Sequence, residues 1–516
     1  MNIPIPIIDI FAGPGGLGEG FSSLKSTDGG PVFRIKLSIE KDEFAHQTLE
    51  LRAFYRQFTG KAVPSEYYEY LQGKISRKEL FKKYETEASQ AEQEAWKATL
   101  GRTSETKVKT RIKDAVNGAT NWVLIGGPPC QAYSLAGRSR IRGKNKRKYR
   151  EDRRHYLYKE YLQILADHRP PIFVMENVKG LLSSRRIRKE NTFDLIISDL
   201  KHPKTDKETN VDKPLCYKLF SLSRISNEGS NEPESKDFVI RSEEYGIPQA
   251  RHRIIIFGIR EDIFKSSPDI LRKKAGVSIE QVIGDLPKLR SGVSQKKDGL
   301  VAWQKIIKSI ANAKWLDSLE APLKKAVLDA VKKFSSKPPR GGAFVRAKVS
   351  PKKHKGWYND KRLKGVCNHE SRSHISRDLH RYFFASVFAR KKGYSPTLEE
   401  FPKGLLPKHK NVREALNGSK FNDRFRVQVR SWPSTTVVSH ICKDGHYYIH
   451  YDPAQCRSLT VREAARLQTF PDNYYFEGAR TQQYHQVGNA VPPLLAKQIA
   501  KIASKVLENL ETEKHA

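Results

Sequence analysis

Three short apolar runs, each halted by residues that a strand cannot continue through, constrain this chain more than any other feature. Residues 3–10 are rich in isoleucine and end around Asp9. Trp122 to Ile125 run into Gly126, Gly127, Pro128 and Pro129, and Ile172 to Met175 run into Glu176 and Asn177. Short apolar runs closed by breakers read as buried strands. Repetition of that plan makes a parallel sheet, and open α/β sheets place their chemistry just beyond the strand ends. The expected fold class is α/β.

Each of these ends carries a distinct chemistry. The first continues as Phe11, Ala12, Gly13, Pro14, Gly15, Gly16 and so opens a strand–glycine turn–helix unit suited to a nucleotide. The next strand, Phe33 to Ile39, ends in Glu40, placed to hold a ribose's hydroxyls. The turn is not G-x-G-x-x-G, so a nucleoside lacking a pyrophosphate fits better than a dinucleotide; a plain glycine turn is the competing reading. At the second end the two prolines remove two backbone donors and stiffen the loop that presents Cys130. Alone, Cys130 reads first as a small buried cysteine in a turn, as most lone cysteines are. The basic run Arg138 to Arg154, hinged at Gly143, reads as a loop closing on phosphates. Glu176, directly after an apolar strand, is costly unless paired or used. Gln249, Arg251 and Arg253 alternate along a strand and so share a face, where two arginines require anions or carbonyl oxygens opposite them.

With 516 residues the chain can bury more than one core, and its formal charge of +37 calls for a polyanionic partner, most simply nucleic acid. A membrane span needs roughly 18 apolar residues, and no stretch reaches that. The N-terminal residues lack a basic leader, so no signal peptide is expected. Cysteines at 130, 216, 367, 442 and 456 form no CxxC pair and fit a reducing cytosol. Cys367 with His369 and His440 with Cys442 lack metal-site spacing, and no metal is expected.

The expected organisation is a catalytic domain at 1–263 interrupted by a solvated helical insertion at about 41–118, a second domain at 264–455, and a return to the first at 456–516. In 264–455 the basic residues interleave with Trp303, Trp315, Trp357, Tyr358, Tyr382, Phe383, Phe384 and Trp432, a mixture suited to a surface reading a nucleic-acid groove. Thr460 with Glu463 forms a capping box, and Pro492 and Pro493 open a final amphipathic helix.

Six segments in order, Asp9-Ile-Phe-Ala-Gly-Pro-Gly-Gly16, Gly127-Pro-Pro-Cys-Gln131, Met175-Glu-Asn-Val178, Gln249-Ala-Arg-His-Arg253, Arg462-Glu-Ala-Ala-Arg466-Leu-Gln468 and Gln486-Val-Gly-Asn-Ala-Val491, resemble the DNA (cytosine-5) methyltransferases of bacterial restriction–modification systems. The resemblance implies a Rossmann-like S-adenosylmethionine domain and a second, mixed, largely irregular target-recognition domain. It implies that Phe11, Ala12, Gly13, Gly15, Gly16, Glu40, Leu157, Asn489 and Val491 bind the cofactor, with Asp114 the nearest acidic residue to contact adenine. It makes Cys130 the nucleophile at C6 of cytosine, Glu176 the partner of N3 and the exocyclic amine, Arg253 the partner of O2, and Arg251 a support. Gln131, Ser134, Arg138, Arg140 and Gln249 would contact the DNA. The partners implied are double-stranded DNA, bound by a monomer, and a cognate restriction endonuclease as a genetic partner, with a cytoplasmic, nucleoid-associated location. Two other readings stay open: an RNA methyltransferase using the same chemistry, and a binding protein that has kept the fold without catalysis.

Overall fold

Eight strands form the central sheet of the computed structural model, which describes residues 3–129, 157–183, 192–204, 214–224, 233–294, 297–334, 337–408, 410–417 and 422–511. Strand β1 (Ile5–Ile10) leads into helix α1 (Gly16–Ser22) and β2 (Phe33–Glu40). Four helices follow, α2 (Glu43–Arg56), α3 (Ser65–Leu71), α4 (Arg77–Lys83) and α5 (Glu85–Glu94), then β3 (Ala95–Lys97), α6 (Glu105–Val116) and β4 (Val123–Gly126). Next come α7 (Leu157–His168), β5 (Ile172–Val178), α8 (Thr192–Lys201), β6 (Tyr217–Phe220), β7 (Val239–Arg241), β8 (Gln249–Ala250) and β9 (His252–Arg260).

The strand order is β3-β2-β1-β4-β5-β9-β6, with β7 also on β9. β1 pairs in parallel with both β2 and β4, and β5 extends the parallel set, whereas β9 runs antiparallel to β5. The chain winds outward from β1 to β3 and then returns to the other side of β1. The winding reverses between β1 and β4, which is where open α/β sheets bind ligands. Alternation along the strands feeds two cores. Ile7, Val123 and Val174 pack on one face with α1 and the last helix of the chain; Ile8, Leu124 and Phe173 pack on the other with α6, α7 and α8. All six are fully buried, each contributing roughly 1.5–3 kcal/mol.

The second region comprises α9 (Ile279–Ile283), β10 (Gly292–Val293), α10 (Leu300–Lys308), α11 (Ala321–Lys332), β11 (Gly341–Arg346), α12 (Lys355–Tyr358), β12 (Gly365–Glu370), β13 (Ser373–His374), α13 (Ser376–Lys392), α14 (Lys410–Leu416) and β14 (Ser434–Thr435). The chain closes with α15 (Val461–Leu467), α16 (Arg480–Asn489) and α17 (Pro493–Glu511). The capping box at Thr460 and Glu463 starts α15.

Two expectations are corrected here. The insertion is not a solvated excursion: Phe54, Tyr67, Leu71 and Leu80 form a core of their own that also takes in Leu363 and Cys367 of the second region, and β3 extends the central sheet. Nor do the aromatics of 264–455 form a groove-reading surface. Trp303, Trp315, Tyr382, Phe383 and Phe384 build the core of α10, α11 and α13, Tyr358 packs beneath α15, Trp357 is partly buried, and of these eight Trp432 alone stands out, 59% exposed. Aromatics at helical spacing among lysines bury the apolar stripe and leave the charges outside.

Candidate active site at the strand ends

The glycine turn after β1 meets the start of α17. A Cβ on Gly16 would lie 2.2 Å from the carbonyl oxygen of Val491, so glycine is required for this approach. Gly13 and Gly15 hold positive φ, 56° and 85°. Phe11 also sits in the left-handed region, and Ala12 N–H donates to Ile39 O at 3.1 Å, tying the turn to β2. At the end of β2, Glu40 accepts from Gly13 N–H through Oε2 and from Lys41 and Asp42 N–H through Oε1, each at 2.8 Å. Its carboxylate is thereby fixed over the turn. Leu157 opens α7, partly buried; Val491 is buried; Asn489 is exposed, its amide 3.3 Å from His485 Nδ1.

One group here carried no signal that set it apart in the sequence. Tyr474 donates its hydroxyl to Pro14 O and so fastens the turn from the far end of the chain. Asp9, where the first apolar run meets an acid, is buried at the end of β1 beneath Gly18 of α1, and burial pushes its pKa up to about 8. A fixed carboxylate and a glycine turn, both at the point where the winding reverses, fit a nucleoside cofactor with hydroxyls to share. Asp114 does not join them. It is exposed in the last turn of α6, which runs back from the strand ends, and so lies toward the opposite edge of the sheet.

Glu176, near the end of β5, forms an ion pair with Arg253 on β9, Nε to Oε1 at 2.9 Å. Burial pushes the Arg253 guanidinium down from its usual range and Glu176 opposes it. Gly127 brings the proline loop against this pair: a Cβ there would lie 2.9 Å from Oε2 of Glu176. Asn177, which the sequence reading left without a role, points its amide at Pro128 O, 3.5 Å away. Pro129 is the last residue described before Cys130. Cys130, Gln131, Ser134, Arg138, Arg140 and the run to Arg154 lie outside the described residues.

Arg251 interrupts the expected strand between β8 and β9. It is fully buried and donates to Val437 O at 2.7 Å and Gly488 O at 3.2 Å, so carbonyl oxygens supply the required partners. Gln249 is corrected as a DNA contact. It is fully buried, donates to Leu467 O and Gln468 Oε1, and accepts from Val437 N–H, which leaves it no face for a ligand outside. Together Gln249 and Arg251 clamp the 434–438 segment, whose β14 pairs with β8, to the catalytic edge. The nitrogens of His369 are taken by Thr460 Oγ1 and Pro287 O, both at 2.9 Å.

A mixed sheet with parallel central strands, a glycine turn at its winding reversal, an acid closing β2 and a final helix packed back on the turn is the Rossmann-like fold of methyltransferases. The chain belongs to the C-5 cytosine-specific DNA methylases, whose family model matches residues 78–203 and 236–505, and it is a DNA (cytosine-5-)-methyltransferase. It is similar to the type II methyltransferase M.Bpa9945I of Bacillus paralicheniformis, 32% identical over 522 residues covering 97% of this chain and 99% of that one. M.DdeI of Desulfomicrobium norvegicum is 24% identical over 403 residues, 75% of this chain and 73% of its own. Among solved structures, a protein described as a DNA modification methyltransferase encoded within an E. coli prophage shares the fold, with a TM-score of 0.51 at 16% identity over 98% of this chain and 99% of that one. Among the described residues no helix is long and apolar enough to cross a membrane.

Proposed function

We propose that this chain transfers a methyl group from S-adenosylmethionine to C5 of cytosine in double-stranded DNA, through a covalent Cys130–C6 adduct on a flipped-out base, as the modification half of a restriction–modification system. The observation that carries the reading is the Glu176–Arg253 pair held against the Gly127–Pro129 loop, beside the glycine turn.

C5 of cytosine is a weak nucleophile, and addition of the Cys130 thiolate at C6 pushes electron density onto it. Glu176 holds N3 and the exocyclic amine and donates a proton as negative charge builds on the ring. Arg253, already beside Glu176, binds O2, so a pyrimidine entering between them meets donor and acceptor edges together. Arg251 positions this group by holding Val437 and Gly488. S-adenosylmethionine, when bound, supplies the methyl group. Phe11, Ala12, Gly13, Gly15, Gly16, Glu40, Leu157, Asn489 and Val491 would enclose it. The C5 proton then leaves to a base, water serving if no side chain does, and the thiolate departs. A stacked cytosine cannot be reached at C6, so the base leaves the helix at a cost of a few kcal/mol, while Gln131, Ser134, Arg138 and Arg140 hold the phosphates of the opened strand. The protein acts as a monomer, with a cognate endonuclease as its genetic partner.

Transfer of labelled methyl from S-adenosylmethionine to duplex DNA is expected to vanish in Cys130→Ala and to slow at least 100-fold in Glu176→Gln, with cofactor binding retained in both. Persistence of transfer in Cys130→Ala refutes the mechanism. Preference for RNA over DNA moves the chain to the second reading.

A further inference from the structure

The segment joining β11 to β12 is the most basic stretch among the described residues. Lys or Arg occupies positions 346, 348, 352, 353, 355, 361, 362 and 364, against one acid, Asp360. That acid is already engaged, its Oδ2 accepting from Tyr68 at 2.7 Å and from Asn473 at 2.8 Å. Glu280 takes Lys352 at 3.7 Å and Arg430, and Arg362 lies over the Tyr68 ring at 4.7 Å. The exposed side chains of Arg346, Lys348, Lys353, Lys355, Lys361 and Lys364 have no described carboxylate within 4.0 Å.

A run of lysines is ordinarily a solvated face. This one differs because it is anchored from beneath. Trp357 Nε1 donates to Thr469 O and the Tyr358 hydroxyl to Arg466 O, both at 2.7 Å, while Leu363 is fully buried in the core of the insertion. Lys353 N–H donates to Gln281 O at 3.1 Å and His354 Nε2 to Gly246 O at 2.9 Å. Burial, with Lys274 and Lys353 adding to it, holds the His354 imidazole below its ordinary pKa. Like charges are thus fixed side by side in one framework, an arrangement that costs self-repulsion until a polyanion neutralises it. The framework also adjoins the strand-end edge. Thr469, which holds Trp357, accepts through Oγ1 from Leu494 N–H in the first turn of α17, just after Val491, whose backbone lies against Gly16.

We propose that the 346–364 segment is a docking surface for the DNA sugar–phosphate backbone, engaging the duplex independently of its sequence. Lysine suits this role because it is a point charge without the planar fork that reads base edges. The inference rests on DNA being the substrate.

The test is fluorescence anisotropy of the full chain across a salt series, on an alternating A–T duplex lacking cytosine and on a plasmid fragment. The triple variant Lys348→Gln, Lys353→Gln, Lys355→Gln is compared with wild type. Each neutralised phosphate contributes about 0.9 to the slope of log K against log salt, so the variant's slope should be shallower by about 2–3 on both duplexes, with binding about tenfold weaker near physiological salt. Methyl transfer to plasmid DNA at saturating protein and the affinity for S-adenosylhomocysteine should not change. A slope equal to wild type on the A–T duplex overturns the proposal, as does a loss confined to the cytosine-containing fragment. Unchanged DNA binding with lost binding to phosphatidylserine vesicles would assign the surface to a membrane and overturns it equally. Absence of methyl transfer in the wild type would instead strike the proposed function and leave the slope readable.

Discussion

Replacing Arg466 with methionine should destabilise the protein by about 3–5 kcal/mol, and the reason is the carboxylate left behind. Arg466 is fully buried and grips Asp472 with two bonds, Nε to Oδ1 at 2.8 Å and Nη2 to Oδ2 at 2.7 Å. Nη1 reaches Asp285 at 2.6 Å and Val282 O at 2.8 Å, so one guanidinium joins α15 to α9 and to the loop after α15. Methionine fills similar space but leaves Asp472, itself 1% exposed, as a buried charge without a partner. Asp285 loses a partner too, but its side chain is 16% exposed and so adds less. At about 2.1 cal/mol/K of unfolding entropy per residue, a cooperative unit the size of this chain shifts by about 1 °C per kcal/mol. The melting temperature by circular dichroism should therefore fall by at least about 3–5 °C, and further if the cooperative unit is smaller. Arg466→Met with Asp472→Leu removes both desolvation penalties and should recover most of the loss. If the double variant melts as low as the single one, the buried carboxylate is not the source of the cost.

Three further outcomes can be checked. Gly127→Ala should cut methyl transfer at least tenfold while cofactor affinity holds, because the new Cβ would lie 2.9 Å from the Glu176 carboxylate; full turnover would refute the close approach. Tyr474→Phe removes one hydroxyl from Pro14 O, a bond of roughly 0.5–1.5 kcal/mol, so calorimetry should show S-adenosylhomocysteine binding about 2–10-fold weaker; an unchanged Kd removes Tyr474 from the site. His369 is kept neutral by burial down to about pH 4, so the unfolded chain takes up a proton first as pH falls. The stability from this group is intact above pH 6.5 and is lost between about 6.5 and 4, roughly 3 kcal/mol in all. Urea midpoints from pH 7 to 4.5 should fall less steeply in His369→Gln, and parallel slopes would refute the assignment.

The strand ends were legible because their chemistry is local. Gly126 and Gly127 permit close approach, the prolines stop the strand, and Glu176 follows its apolar run directly, so a few neighbouring letters report the position of each. The second region was not legible in the same way, because lysine–aromatic interleaving looks alike whether the rings face in or out. Only packing decides, and it took Trp303, Trp315 and Tyr382 into a core while leaving Trp432 outside. The insertion misled for a related reason: its tyrosines and Phe54 find their cover partly in Leu363 and Cys367, far along the chain. Gln249 had no local signal of its fate, since its partners at Val437, Leu467 and Gln468 come from distant segments. Asp114 failed for a geometric reason, as a residue at the far end of a crossover helix cannot serve the strand ends.

The interlock of the glycine turn with α17 bears on how the enzyme is born. Gly16 and Gly20 leave the ribosome about 470 residues before the backbone they pack against, at Val491 and Pro493. Contacts so distant in sequence form late. A nascent chain therefore carries the glycine turn uncovered for as long as the ribosome takes to reach α17, and a chain lacking α17 would leave Gly16 and Gly20 without the backbone they pack against.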